Sequence, residues 1–242
     1  MTVIYGNESQ YIQSRLVGEF WTTSILAAIA CGVACGLDLR TCATAVARVE
    51  AQFGRYSVHQ VPGGPTFVFD LKAPVWTLPH CLAFFAGSRA PRKTIVLGNL
   101  SSHPGKSGRL YRRVAQDALN VADRVVFVGP NAAHVDRLRQ GEIGERLLPF
   151  ATVHEASTYV HAHTLPDELI VVKGSLAADH LERIVLGRFE PVVCWKERCG
   201  KVLFCPECPD YRRPHPPHAK PKSSIEDAES VAATPASAWP HS

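Results

Sequence analysis

The chain has 242 residues, 46% hydrophobic and 20% charged, which supplies a core for one large domain or two small ones and excludes a disordered chain. Its 26 basic and 22 acidic side chains leave a net charge of +4 spread along the sequence, without the clustered basic stripe of a nucleic-acid binder. The longest apolar stretch, Ser24 to Gly36, is too short and too rich in small residues to cross a bilayer, and no basic region precedes an apolar core at the N-terminus, so a cytoplasmic protein with neither nucleic acid nor membrane as partner is expected.

Taken in chain order, Thr2 to Tyr5 predicts a short strand, followed by polar extended chain as far as Phe20. Thr22 to Cys35 and Leu39 to Phe53 carry apolar residues at three- and four-residue spacing, with Gly36 as a stop and Asp38 as an N-cap between them. Residues 1–53 therefore read as a unit containing a helical hairpin. From Gly54 to Arg188, short β-rich runs alternate with helical segments. The strands are Thr66 to Asp70, Thr94 to Gly98, Arg124 to Gly129 and Leu169 to Lys173. The helices are Leu78 to Ala86, Gly108 to Val121, Asn131 to Arg139, His154 to Ala162 and Ala177 to Leu186. Continuous apolar strands separated by helices predict a mostly parallel sheet covered on both faces, an α/β doubly wound Rossmann-like domain over residues 54–190. Residues 191–210 form a four-cysteine segment, and residues 211–242, dominated by Pro, His, Lys, Ser and Glu, read as a disordered tail.

In a doubly wound sheet the ligand crevice lies beyond the carboxyl ends of the strands, here Asp70 to Pro74, Gly98 to Ser102, Gly129 to Asn131 and Lys173 to Ser175. Asp70 could accept from ribose hydroxyls while Lys72 reaches phosphate, and Gly54-Arg55, ahead of the first strand, offers a second cation. Each of these is also compatible with a surface charge pair or a cap. Lys173-Gly174-Ser175 precedes a helix bearing His180 and Glu182, which would turn a lysine and a helix N-terminus toward an anionic ligand; an ordinary strand-turn-helix is the alternative. Pro104-Gly105-Lys106-Ser107 ends like a phosphate-binding loop, but Leu100 stands where the first glycine is required.

Cys194, Cys199, Cys205 and Cys208 have metal-site spacing, with a CxxC knuckle in the second half. Structural zinc is the first reading, with an iron–sulfur cluster or free thiols as alternatives, and with His215 and His218 as spare ligands. Cys31, Cys35, Cys42 and Cys81 read as small buried hydrophobes. Phe20 and Trp21 read as packing residues.

Several strings, in order, resemble the Mur ligase family of ATP-dependent amide-forming enzymes. They are Gly18-Glu19-Phe20-Trp21, Leu26 to Ala30, Gly54-Arg55, Phe69-Asp70-Leu71-Lys72-Ala73, Val96-Leu97-Gly98, Val128-Gly129 and Val172-Lys173-Gly174-Ser175. The match covers the end of that family's central domain and its Rossmann-like C-terminal domain, over residues 10–190. The resemblance implies that Arg55 and Lys72 act on ATP and an acyl phosphate, that Asp70 contacts the nucleotide, and that Lys173 and Ser175 lie near the amine substrate. It implies ATP and Mg as cofactors and carboxylate activation by the γ-phosphate followed by amine attack. The family's P-loop, magnesium ligands and modified lysine belong to a part of the central domain not found here, and Phe20, Trp21 and Ser24 replace a His and two Asn near the adenine. The expectation is therefore the C-terminal portion of a Mur-like ligase, inactive alone and completed by an ATPase half or homologous subunit, with small-molecule carboxylate and amine substrates. The rival reading is a non-catalytic Rossmann-like binding module whose zinc knot recognises a partner.

Overall fold

The computed structural model of the protein describes residues 1–103, 106–176, 178–197, 199–201 and 203–211. Thr2–Tyr5 (β1) and Glu8–Tyr11 (β2) pair antiparallel about Gly6 and Asn7, with Gly6 at φ 58°. The stretch expected as extended polar chain thus begins with the second arm of a hairpin, which the Gly-Asn dipeptide between two β-rich runs signals. The expected helical hairpin follows as Thr22–Ala34 (α1) and Leu39–Ala47 (α2). Gly36 at φ 89° turns the chain, and Asp38 caps α2 by accepting from the Thr41 N–H at 2.8 Å. The second helix ends at Ala47 rather than Phe53. Phe53 is drawn into the next layer, its ring 5.1 Å from that of Phe69 and 5.6 Å from that of Phe204. Hairpin and helices close a small core around Ile12, Ile25, Ile29, Leu39 and Val46. Cys42 is inside it, whereas Cys31 in α1 and Cys35 just beyond its end, expected to be buried, are exposed.

A six-stranded sheet forms the body of the protein. Its strands are Arg55–Gln60 (β3), Thr66–Asp70 (β4), Lys93–Leu97 (β5), Arg124–Val128 (β6), Leu147–Phe150 (β7) and Leu169–Lys173 (β8), in the order β3-β4-β8-β5-β6-β7. All neighbours are parallel except β3, which runs antiparallel to β4. This is the expected α/β doubly wound, mostly parallel architecture. The two edge strands escape a reading by apolar runs because β3 (RYSVHQ) is largely polar and β7 (LLPF) carries Pro149, which an edge tolerates.

The inner strands are apolar on both faces because both are covered. Val68, Ile95, Leu97, Val125, Phe127 and Val171 pack against Leu78–Gly87 (α3), Ser107–Leu119 (α4) and a 3-10 helix, Ala132–Leu138, that replaces the expected α-helix. Glu142–Arg146 (α5) is a single short turn before β7. Phe67, Phe69, Val96, Val126, Ile170 and Val172 face Val153–Ala162 (α6) and Glu182–Leu186 (α7). Each such side chain contributes roughly 1.5–3 kcal/mol on burial, enough for the two-faced apolar pattern to dictate three layers. Among the described residues of the expected helix from 177 to 186, only Glu182–Leu186 are helical.

Tyr211, the first residue of the expected disordered tail, is only 1% exposed and still packed on the fold. The remainder of that tail, with His215 and His218, lies outside the described residues, as do Pro104 and Gly105 of the phosphate-loop-like string. Among the described residues no helix is long and apolar enough to cross a membrane.

Candidate functional site

Strands β4, β8, β5 and β6 end at one edge of the sheet, so the four segments singled out from the sequence come together there. The backbone stitches three of them side by side. Gly174 N–H donates to Asp70 O at 3.1 Å and Gly98 N–H to Lys173 O at 2.9 Å. Arg55 opens β3 itself, opposite Asp70, rather than preceding the first strand. A bulge follows, with Tyr56 at φ 53°, and Arg55 holds its own strand entrance by donating from Nη1 to Gly54 O at 3.0 Å.

Burial sorts these residues. Lys72 is exposed and Arg55 half-buried, so both cations are available at the edge. Lys173, expected to face the crevice, is instead completely inside: its Nζ donates to Asp70 Oδ2 at 2.5 Å and to Lys72 O. Asp70, 3% exposed, is committed to that pair rather than open to a ribose. An ammonium away from water needs a partner, and the parallel register that sets Asp70 beside Lys173 provides it. The pair sits over aromatic and thiol groups. Lys173 Nζ is 5.8 Å from the Tyr56 ring, which in turn lies 4.3 Å from that of Phe20. Burial pushes the Cys81 thiol up to about 11 and raises the Tyr56 phenol, so both stay neutral. Phe20 is a packing residue, as its sequence context indicated.

Beside this cluster lies an open cleft of about 550 Å³ between the ends of β5, β6 and β7 and the segment after β8, lined by Asn99, Gly129, Thr152, Asp179, Glu197 and Gly200. Asp179 organises it. Its carboxylate accepts from Asn99 N at 2.7 Å, Asn99 Nδ2 at 2.6 Å and Ser175 N at 2.9 Å, and Asn131 Nδ2 donates to Asn99 Oδ1 at 3.2 Å. Burial pushes its carboxyl up to about 6 against the pull of those donors. Ser175 is therefore the start of a turn closed by Asp179, not the N-terminus of a helix. Asp179 escapes a sequence reading because the segment resembles helix; the spacing of Asp four residues beyond a Lys-Gly-Ser turn is the signal that remained. Gly98 makes the close approach possible, since a Cβ there would meet Asp179 Oδ2 at 2.3 Å. Gly98→Ala is expected to displace Asp179 and cost about 1–3 kcal/mol, read as a lowered midpoint in thermal unfolding. An unchanged midpoint would mean that the Asp179 turn yields freely.

None of the four cysteines of the C-terminal segment is in a disulfide; Cys194 and Cys205 are buried and Cys199 and Cys208 half-buried. Between Cys205 and Cys208 the chain makes a 3-10 turn, Cys205–Glu207, closed by Cys208 N–H on Cys205 O at 3.0 Å.

No family model matches the sequence, and no curated protein does. Solved structures do match the fold. A crystal structure of MurF from Acinetobacter baumannii aligns with 78% of this chain and 42% of its own length, at TM-score 0.66 and 19% identity. The fold is a Mur ligase fold. A pseudomurein peptide ligase type C from Methanothermus fervidus matches 77% of this chain and 38% of its own at TM-score 0.56 and 15% identity. MurF from Thermotoga maritima, solved in complex with ADP, matches 70% and 38% at TM-score 0.52 and 17% identity. The chain thus spans about two-fifths of the length of these Mur ligases. In this fold Arg55, Asp70 and Lys72 lie at the carboxyl edge of the sheet.

Proposed function

We propose that this chain is the C-terminal portion of a Mur-like ATP-dependent ligase that joins a carboxylate to an amine. Supporting this reading is one observation above all: in a Mur ligase fold, the exposed Lys72 and the half-buried Arg55 stand where β4 ends and β3 begins, beside the buried Asp70–Lys173 pair. Lys173 donates to the backbone carbonyl of Lys72 itself, so the pair fixes the loop from which Lys72 extends. Lys72 and Arg55 would stabilise charge developing on the transferred phosphoryl group, and the cleft at Asn99, Asp179 and Glu197 would receive the amine. In this assignment Asp70 and Lys173 position, while Ser175 shapes the cleft through its backbone. ATP and Mg supply the phosphoryl donor and its charge neutralisation. The magnesium ligands and P-loop are contributed by an ATPase half, on a longer polypeptide or a second subunit.

The test uses the full chain, tagged and recovered from its own cells together with whatever ATPase accompanies it. ATP-dependent phosphate release driven by added carboxylate and amine is then compared between wild type and Lys72→Ala. Loss of a transition-state cation should lower turnover about tenfold or more. Equal turnover in the two preparations would remove Lys72 from the reaction and the ligase reading with it.

A further inference from the structure

One enclosed pocket gathers all four cysteines of the C-terminal segment together with His180, from the chain joining β8 to α7, and Arg183, from α7 itself. Arg183, only 1% exposed, donates from Nε to Cys205 Sγ at 3.2 Å and from Nη1 to Lys196 O at 2.8 Å. Lys201 Nζ donates to Cys208 Sγ at 3.7 Å, and His180 Nε2 lies 3.0 Å from Cys199 Sγ. Three of the four sulfurs therefore meet nitrogen donors, two of them cationic. A second observation concerns Glu182. Glu182 is fully buried, no donor among the described residues meets its Oε2, and donor atoms of Glu182, His180 and Cys205 lie within 4.8 Å of one another. A buried carboxylate oxygen without a hydrogen bond is costly unless positive charge stands close by.

We propose that this pocket binds one zinc ion through the thiolates of Cys194, Cys199, Cys205 and Cys208, and that the bound ion clamps the turn carrying Ser175, Asp179 and His180 against the cleft. Four thiolates around a divalent zinc retain two negative charges; Arg183 donates to Cys205 Sγ, and Lys201, ion-paired with Asp210 at 2.6 Å, donates to Cys208 Sγ. With its proton on Nε2, His180 donates to Cys199 and acts as an outer-sphere partner rather than a ligand. Zinc fits the donor set because it accepts four sulfurs in a closed tetrahedron, which leaves no position for substrate and makes the site structural. Binding displaces the thiol protons to solvent.

The clamp follows from chain connectivity. His180 adopts φ 50°, a left-handed conformation that persists only where its surroundings hold it, and it adjoins Asp179, whose carboxylate ties Ser175 to Asn99. Glu197 and Gly200, flanking Cys199, form part of the cleft wall. The same two segments thus provide the metal pocket and one side of the cleft. The zinc assignment is independent of the reaction proposed above.

The experiment measures metal content of the full-length protein purified without chelator, then exchanges the ion for cobalt. About one zinc per chain and the absorption of a four-sulfur cobalt site are expected. His180→Ala should keep the stoichiometry while weakening zinc about 10–100-fold, as loss of an outer-sphere partner does, whereas Cys205→Ser should lose the four-sulfur spectrum. If Cys205→Ser fails to fold, the His180→Ala titration and the wild-type cobalt spectrum still decide. Stripping zinc should speed amide exchange at Ser175, Asp179 and His180 while β5 and β6 stay protected. Zinc far below one per chain with no cobalt uptake, iron with acid-labile sulfide, or a cobalt spectrum with a nitrogen ligand would overturn the four-thiolate site. Unchanged exchange at those three amides would overturn the clamp.

Discussion

Asp70→Ala is expected to destabilise the fold by about 3–5 kcal/mol, because it leaves the Lys173 ammonium buried without its counter-charge. Asp70 Oδ2 accepts from Lys173 Nζ, and their side chains are 5% and 0% exposed, so water cannot take the carboxylate's place. Equilibrium urea unfolding reads the effect as a lowered midpoint at constant slope. The companion variant Asp70→Ala with Lys173→Met removes both charges and should recover most of the loss, since a buried pair is worth much less as a whole than one orphaned member costs. If the double variant is no more stable than Asp70→Ala, the two residues are not energetically coupled and the account of the site fails at its base. The prediction also bears on function. A turnover defect in any Asp70 variant has to be judged against its stability, whereas Lys72, exposed at the edge, can be changed without disturbing the pair.

The second large effect lies at the opposite, amino end of the strands. Glu168, fully buried, accepts from Thr94 Oγ1 at 2.5 Å and Arg124 Nη2 at 2.9 Å on one oxygen, and from Arg92 Nη2 at 2.6 Å and Leu165 N at 2.9 Å on the other. This single carboxylate joins β5, β6 and the entrance of β8. Glu168→Ala, which takes away the counter-charge of the buried Arg124 and leaves it the neutral acceptors Thr94 Oγ1 and His163 O, should cost about 3–5 kcal/mol. A pH dependence accompanies it. Burial alone would raise the Glu168 carboxyl, but hydrogen bonds from Arg92, Thr94 and Leu165 and the charge of Arg124 outweigh it and hold it below the ordinary 4.5. A carboxyl depressed in the folded state stabilises fully above its unfolded value, and that contribution is lost as pH falls through the lower folded value. Wild-type stability should therefore decline below about pH 4.5 more steeply than that of Glu168→Gln, which has no proton to take up. Parallel acid curves for the two proteins would show that Glu168 is already protonated in the fold.

Much of this architecture was legible in the residues. The runs at Thr66, Thr94, Arg124 and Leu169 are short, β-branched and apolar on both faces, which only a covered parallel sheet satisfies. Asp38 capping α2 and the turn at Gly36 are equally local, decided by neighbours within a few positions. The edge at which Arg55, Asp70, Lys72, Lys173 and Ser175 were sought is also where the strands end.

What each of those residues does there was not legible, because burial is a property of the assembled layers. Lys173 looked like a ligand-facing cation and is an internal one, since its partner Asp70 is 103 positions away in sequence and adjacent only through the parallel register. Asp179 looked like part of a helix, yet the close approach at Gly98 draws it into a turn whose hydrogen bonds reach across 80 positions to Asn99. Likewise, the cysteine spacing announced a local knot, while Arg183 and His180, which complete its surroundings, come from the sheet's own connection. Local pattern, propensity and spacing determined the four inner strands, the helical hairpin, the fold class and the four-cysteine segment. Tertiary structure alone decided which charges are exposed and which are paired, because those depend on contacts between residues that the chain sets far apart.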